Sequence, residues 1–275
     1  AGPDVHPPHH LARAAPLIVE SDRGLFEAGC AVLGIAFLIK AGSWPLHFWL
    51  PNTYSSAAPP VSALFSIMTK VGFYSILRLW TLVFASEGGE VTFAQHTLLV
   101  LGVATVAFGS IGALSCKALD RLASYLIIVS AGTLLLAVGY NVPSVTAGAI
   151  LYAVVATLAA GAIFLLKDVL DQILPAESQI LAVSLELYGD EEEEVDEDEE
   201  VSPAIPAATT LVSICFAIAA LMMAGLPPLS GFIAKFAMIE GAFASEGAPT
   251  MATWWFTGAL MLSGLLVLIA MVRNG

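Results

Sequence analysis

Long apolar runs, separated by short polar stretches, set the pattern of this chain. A helix needs about 20 predominantly apolar residues to cross the hydrocarbon of a bilayer. Seven stretches approach or exceed that length: 25–41, continuing through an interruption to about 54; 61–84; 96–114; 122–139; 145–166; 205–241; and 253–272. The sixth is too long for one straight span and is interrupted by Gly225-Leu-Pro-Pro-Leu-Ser-Gly231. The runs are too long and too evenly apolar for the alternating strands of a barrel, so helices are the expected spanning form. The pattern predicts an all-α integral membrane protein with about seven transmembrane helices, two of them broken. Most connections fit a single turn, as in 115–121 and 140–144. The exception is 167–203, whose first part is expected to form a surface helix.

Both expected breaks lie beside a lysine. The stretch Phe37-Leu-Ile-Lys40-Ala-Gly-Ser-Trp-Pro45 puts a charge, a glycine and a proline inside one apolar run, and Lys235 follows the Gly/Pro break of the sixth run. Proline interrupts the helix that would hide the backbone. Broken helices are tolerated at membrane depth only where they are buried in protein or line a wet cavity. Interrupted segments in two parts of one chain are also the mark of a transporter built from repeats. Lys70 stands deeper. It is nine residues past Val61, about 13–14 Å along a helix, close to the middle of the hydrocarbon and too deep to snorkel easily. Ionisable residues in spans are rare and usually functional. No carboxylate lies in the same helix, so a partner must come from another helix, another subunit or water. Desolvation disfavours the ammonium and a neighbouring anion favours it. A lysine balanced between the two can exchange a proton. Lys40, Lys70 and Lys235 are therefore candidate proton or cation relay groups. His47 either extends that wire or is a structural histidine at the break.

Composition agrees with a membrane location. Of 275 residues, 58% are hydrophobic and 12% charged, against about 25% charged in soluble domains. The net charge of −13 has a local origin, because ten acids lie in the block Asp190–Glu200 and the rest of the chain holds 13 acids against 10 bases. That block is expected to be solvated and unstructured. Lys117, Arg121, Lys167 and Arg273 share one side with the acidic loop, and the positive-inside rule places that side in the cytoplasm. Arg78 reads as a snorkelling residue, and the five tryptophans as packing or interface anchors. Cys30, Cys116 and Cys215 are too far apart for a metal motif and read as buried thiols. No phosphate loop, zinc spacing, nucleophile elbow or catalytic carboxylate pair is present. No cofactor, metal or enzymatic role is expected, and without a basic patch no nucleic-acid partner is expected. The start at Ala1 and the opening AGPDVHPPHH suggest a fragment or a processed chain.

The stretch Lys40–Tyr74, KAGSWPLHFWLPNTYSSAAPPVSALFSIMTKVGFY, resembles the signature of the proton-pumping membrane subunits shared by respiratory complex I and the Mrp (Pha, Mnh) multisubunit Na⁺/H⁺ antiporters. GLPPLSGFIAKF and YGDEEEEVDEDEE are most similar to the D-type branch of the Mrp subunits. The resemblance covers nearly everything after the first twenty residues. It implies a fold of two inverted five-helix repeats. A tail at 1–24 would lead into the last two helices of the first repeat at 25–84. The second repeat would occupy 96–272, with a cytoplasmic acidic loop at 168–203. It implies that Lys40, Lys70 and Lys235 belong to a hydrophilic axis that moves protons. The function implied is exchange of Na⁺, or another monovalent cation, for H⁺ in a bacterial inner membrane, together with other membrane subunits. The family's preceding helices are absent, and with them the glutamate that pairs with the lysine at position 40. The chain as given should therefore not complete transport by itself. The helix at 145–166 also lacks the lysine or histidine often found there in complex I subunits. The alternative is a proton-pumping subunit of an NADH-quinone oxidoreductase or a membrane-bound hydrogenase. A rival of another class is a membrane scaffold with its lysines locked in ion pairs.

Overall fold

The computed structural model describes residues 20–81, 91–188, 207–244 and 250–274. The described residues are helical throughout apart from turns. The helices are α1 (Glu20–Ala41), α2 (Trp49–Ser56), α3 (Pro59–Leu79), α4 (Val91–Ser115), α5 (Leu119–Tyr140), α6 (Pro143–Tyr188), α7 (Ala207–Ala224), α8 (Ser230–Ala244) and α9 (Met251–Asn274). Five contain an unbroken apolar stretch long enough to cross a membrane: α3, α4, α5, α6 and α9. The pairs α1/α2 and α7/α8 are the two broken elements, where the glycines and prolines predicted them. The outward faces are apolar, with Leu64, Ile67 and Val71 of α3 and Val100, Val103 and Ile111 of α4 exposed. Such surfaces fit hydrocarbon rather than water.

The two breaks are built alike. Gly42 and Gly225 take left-handed φ angles of 73° and 76°, which glycine adopts without a Cβ clash. After α1, Gly42 N–H donates to Ile39 O and Ser43 N–H to Leu38 O, both at 3.1 Å. After α7, Gly225 N–H and Leu226 N–H both donate to Leu221 O, at 3.0 and 3.1 Å. These turns satisfy some of the carbonyls that a helix end leaves open. Each break also contains a cis X-Pro bond, Trp44–Pro45 in the first and Pro227–Pro228 in the second.

The centre of the bundle is α5. In its most apolar stretch 94% of residues are buried, against 39–50% in the other four unbroken spans. It packs on α2, α3, α4, α6 and α9. Its contact with α4 is close because glycines face backbone across it. A Cβ at Gly132 would lie 2.7 Å from Val106 N, and one at Gly102 would lie 2.8 Å from Leu136 N. Small residues that let backbones approach are the usual basis of helix packing in lipid. Polar latches close the ends. Trp80 Nε1–H donates to Asn141 Oδ1 at 3.1 Å, and Arg273 Nη2 donates to Cys116 O at 2.6 Å.

Two expectations change, and the tryptophans divide between packing and exposed positions as expected. The segment after 166 is not a separate surface helix, because α6 runs unbroken for 46 residues from Pro143 to Tyr188. Lys167 pairs with Asp171 one turn on, a spacing that supports a helix as it leaves the apolar zone. Cys215 is only half-buried, whereas Cys30 and Cys116 are buried as expected. Trp80 is a packing residue, 5% exposed, while Trp254 and Trp255 are exposed on α9. The acidic block 190–200 and the tail before residue 20 lie outside the described residues.

Candidate functional site

Lys70 sits in the middle of the 21-residue helix α3, and its Nζ donates to Ser130 Oγ on α5. Ser130 is fully buried, and its own hydroxyl donates to Ile127 O at 2.7 Å. The ammonium is thus held by a neutral oxygen. The partner missing from α3 comes from the neighbouring central helix.

Lys235, on α8, is 6% exposed. It follows the second break, and its side chain folds back so that Nζ donates to Ala224 O at 2.9 Å. Ala224 is the last residue of α7. The break therefore frees a carbonyl, and the partial negative charge of a helix C-terminus falls on the ammonium. Nζ also lies 5.8 Å from the centre of the Tyr152 ring, within cation–π range. Two glycines make the slot. A Cβ at Gly225 would lie 2.6 Å from Lys235 Cδ, and one at Gly264 would lie 2.5 Å from Ala224 O and 3.2 Å from Lys235 Nζ. Among the described residues, neither Lys70 nor Lys235 has a carboxylate within ion-pair distance.

The first break is arranged differently. Lys40 is in the last turn of α1, before its break, and its side chain is exposed on the outer face beside Ile39. The α3 helix touches the backbone at this point, since a Cβ at Gly72 would lie 2.8 Å from Ala41 N. The backbones of the Lys40 and Lys70 helices thus meet, but the Lys40 side chain points away from the bundle. His47 lies within the first break and is 8% exposed. Its ring stacks on Phe48 at 5.0 Å and approaches Phe108 of α4 at 6.1 Å. Its Nδ1 is buried without a hydrogen-bond partner among the described residues. The break is pinned to α4 where Trp44 N–H donates to Thr105 Oγ1 at 2.9 Å.

The sequence pattern singles out the lysines but not the groups that hold them. Ser130, the Ala224 carbonyl and the Tyr152 ring complete the site. A faint signal exists in the sequence. Ser130 and Thr133 are two polar residues, three apart, in the otherwise apolar stretch 126–139 of α5.

An all-helical bundle with exposed apolar faces, two interrupted helices and two cations held by neutral oxygens is a multi-span membrane protein. Residues 21–265 match the family described as NADH:quinone oxidoreductase/Mrp antiporter, TM, and the chain belongs to it. It is 48% identical over 271 residues to a protein of Rhizobium meliloti named as the probable D subunit of a K(+)/H(+) antiporter, covering 96% of this chain and 50% of that protein. It is 33% identical to the D subunit of the Na(+)/H(+) antiporter of Bacillus subtilis, covering 96% of this chain and 48% of that one. The fold matches a chain of the Mrp complex from Dietzia sp. DQ12-45-1b with a TM-score of 0.71 at 23% identity, covering 96% of this chain and 44% of that chain. The chain thus spans about half the length of the curated relatives it matches.

Proposed function

We propose that this chain forms part of the D subunit of a multisubunit antiporter of a bacterial inner membrane. The complex exchanges a monovalent cation, Na⁺ or K⁺, for protons. Lys70 and Lys235 are the inner members of its proton path, and Lys40 and His47 belong to the outer part, at the first break. The observation that carries the reading is that both inner ammonium groups, deep in an apolar bundle, are held by neutral oxygens rather than carboxylates. An ion pair would fix the charge in place. A hydroxyl or a carbonyl holds an ammonium by hydrogen bonding and leaves it freer to give up its proton. The names of the two relatives support the exchange of K⁺ or Na⁺ for H⁺ and the need for partner subunits.

The test is to replace Lys70 or Lys235 by alanine in the full-length protein, assembled in its complex. Proton movement is followed in vesicles with a pH-sensitive dye on addition of Na⁺ or K⁺. Normal assembly with lost cation-dependent proton movement is expected. Lost assembly would instead favour a structural scaffold, and parental transport in both variants would refute the path.

A further inference from the structure

We propose that a basic cavity between α2 and the α4–α5 turn binds the phosphate headgroup of an anionic membrane phospholipid, whose acyl chain lies along the outer face of α4. The inference uses only the membrane location of the bundle and is independent of the lysine path.

The cavity has a volume of about 390 Å³, within the range of about 300–1,000 Å³ usual for small-molecule sites. Asn52 of α2 lines it, together with Ser115 at the end of α4 and Lys117 in the turn that follows. Arg121 and Tyr125, in the first two turns of α5, complete the polar lining. A third cation reaches the same turn from α9, where Arg273 Nη2 donates to Cys116 O at 2.6 Å. Cys116 itself lines the cavity.

These groups are donors without a task in the fold. Among the described residues, neither the Lys117 ammonium nor the Arg121 guanidinium has a hydrogen-bond or ion-pair partner. The Asn52 side-chain amide and the Tyr125 hydroxyl have none either. The carboxylate next in sequence, Asp120, turns to its own helix and accepts the Arg121 N–H at 2.8 Å. No carboxylate of the described residues lines the cavity. Two like charges at one cavity repel each other, and an anion between them reverses the sign of the interaction. A phosphodiester supplies that charge, with acceptor oxygens for the cations and for the neutral donors.

The surface beside the cavity identifies the anion as a lipid. Phe108, Ile111 and Ser115 follow at i, i+3 and i+7 on one face of α4. Phe108 is 48% and Ile111 61% exposed, and Ser115 lines the cavity. The face thus passes from apolar surface to cations within two helical turns, about 10 Å. A free phosphate meets the cations and leaves the apolar strip bare, whereas a phospholipid meets both. Basic pockets at the cytoplasmic ends of spanning helices suit acidic lipid headgroups. Phe108 also stacks on Trp44 of the first break at 5.5 Å, and Asn52 lies on the short helix that follows that break. The bound lipid therefore braces the first broken helix against α4 and α5.

The test uses the full-length protein in its complex, stripped of lipid in a neutral detergent. The thermal midpoint is followed as dioleoyl phosphatidylglycerol, dioleoyl phosphatidylcholine or inorganic phosphate is added. Phosphatidylglycerol is expected to raise the midpoint saturably, and the other two to leave it unchanged. Lys117→Gln combined with Arg121→Gln should weaken the apparent affinity for phosphatidylglycerol about 25-fold, about fivefold for each cation lost near the membrane surface. Tyr125→Phe and Asn52→Ala change no charge and should each weaken it severalfold. Lys167→Gln, at the same end of the bundle but outside the cavity, should leave it unchanged. That contrast separates a built site from diffuse attraction, and the reverse pattern overturns the proposal. Equal midpoints with the two lipids, saturation by phosphate alone, or parental affinity in the double variant also overturn it. Should the double variant fail to assemble, Tyr125→Phe and Asn52→Ala decide, and parental affinity in both overturns it.

Discussion

Gly264 of α9 offers a direct test of how Lys235 is held. Replacing it by alanine adds a Cβ that would lie 2.5 Å from Ala224 O and 3.2 Å from Lys235 Nζ. A carbon normally approaches a carbonyl oxygen to about 3.3 Å, so helix end and α9 must separate by most of an ångström. The oxygen concerned belongs to backbone and cannot swing aside as a side chain would. The 2.9 Å hydrogen bond from Lys235 to Ala224 O is then lengthened or lost. A hydrogen bond to a charged group is worth about 1.5–3 kcal/mol, equivalent to roughly ten- to a hundredfold in any step that depends on it. Overpacking adds about 1–3 kcal/mol of destabilisation, offset by about 1 kcal/mol from the better helix propensity of alanine. The net stability loss is small enough for assembly, so transport should fall more than the yield of complex. Gly258→Ala is the control, because a Cβ there meets nothing within 4 Å on the same helix. It should leave transport unchanged and the thermal midpoint equal or slightly raised. The measurement is cation-driven proton movement in vesicles, normalised to assembled complex. Equal rates for Gly264→Ala and Gly258→Ala would refute the argument that the α7 carbonyl positions the lysine.

Other substitutions test other parts of the fold. His47→Phe removes a buried Nδ1 that lacks a partner among the described residues and keeps the ring contacts with Phe48 and Phe108. Assembly should hold while transport falls about a hundredfold, and parental transport removes His47 from the path. Trp80→Phe loses the hydrogen bond to Asn141 Oδ1. It should lower stability by about 1 kcal/mol with no change in transport rate, read from the thermal midpoint of the purified complex. Gly132→Ala drives a Cβ to 2.7 Å from Val106 N and should destabilise the α4–α5 contact by about 1–3 kcal/mol, seen as a lower yield of assembled complex.

The breaks were legible because glycine and proline act locally. Gly42 with Pro45, and Gly225 with Pro227 and Pro228, stop their helices wherever they stand. The depth of Lys70 was legible because position along a helix is a matter of counting. The direction of Lys40 was not, since the rotation of α1 is set by the helices it packs against. The end of α6 was hidden for a related reason. Lys167 and Asp168 end the apolar character of the segment but not its helicity, and Lys167 pairs forward with Asp171. The holders of the lysines were hidden more deeply. A serine or threonine in an apolar helix usually turns back to its own carbonyls, as Ser130 and Thr133 do, and nothing in the sequence marks one as also receiving a distant ammonium. Ala224 gave no signal, because its contribution is a main-chain atom.

That last point reaches beyond this site. An anchor made of peptide oxygen has no codon of its own. Any residue at 224 that keeps the helix end offers Lys235 the same acceptor, so sequence drift there is invisible to the lysine. Sensitivity moves instead to Gly225 and Gly264, neither of which touches the ion chemically, and variants that silence the protein should gather at such spacers.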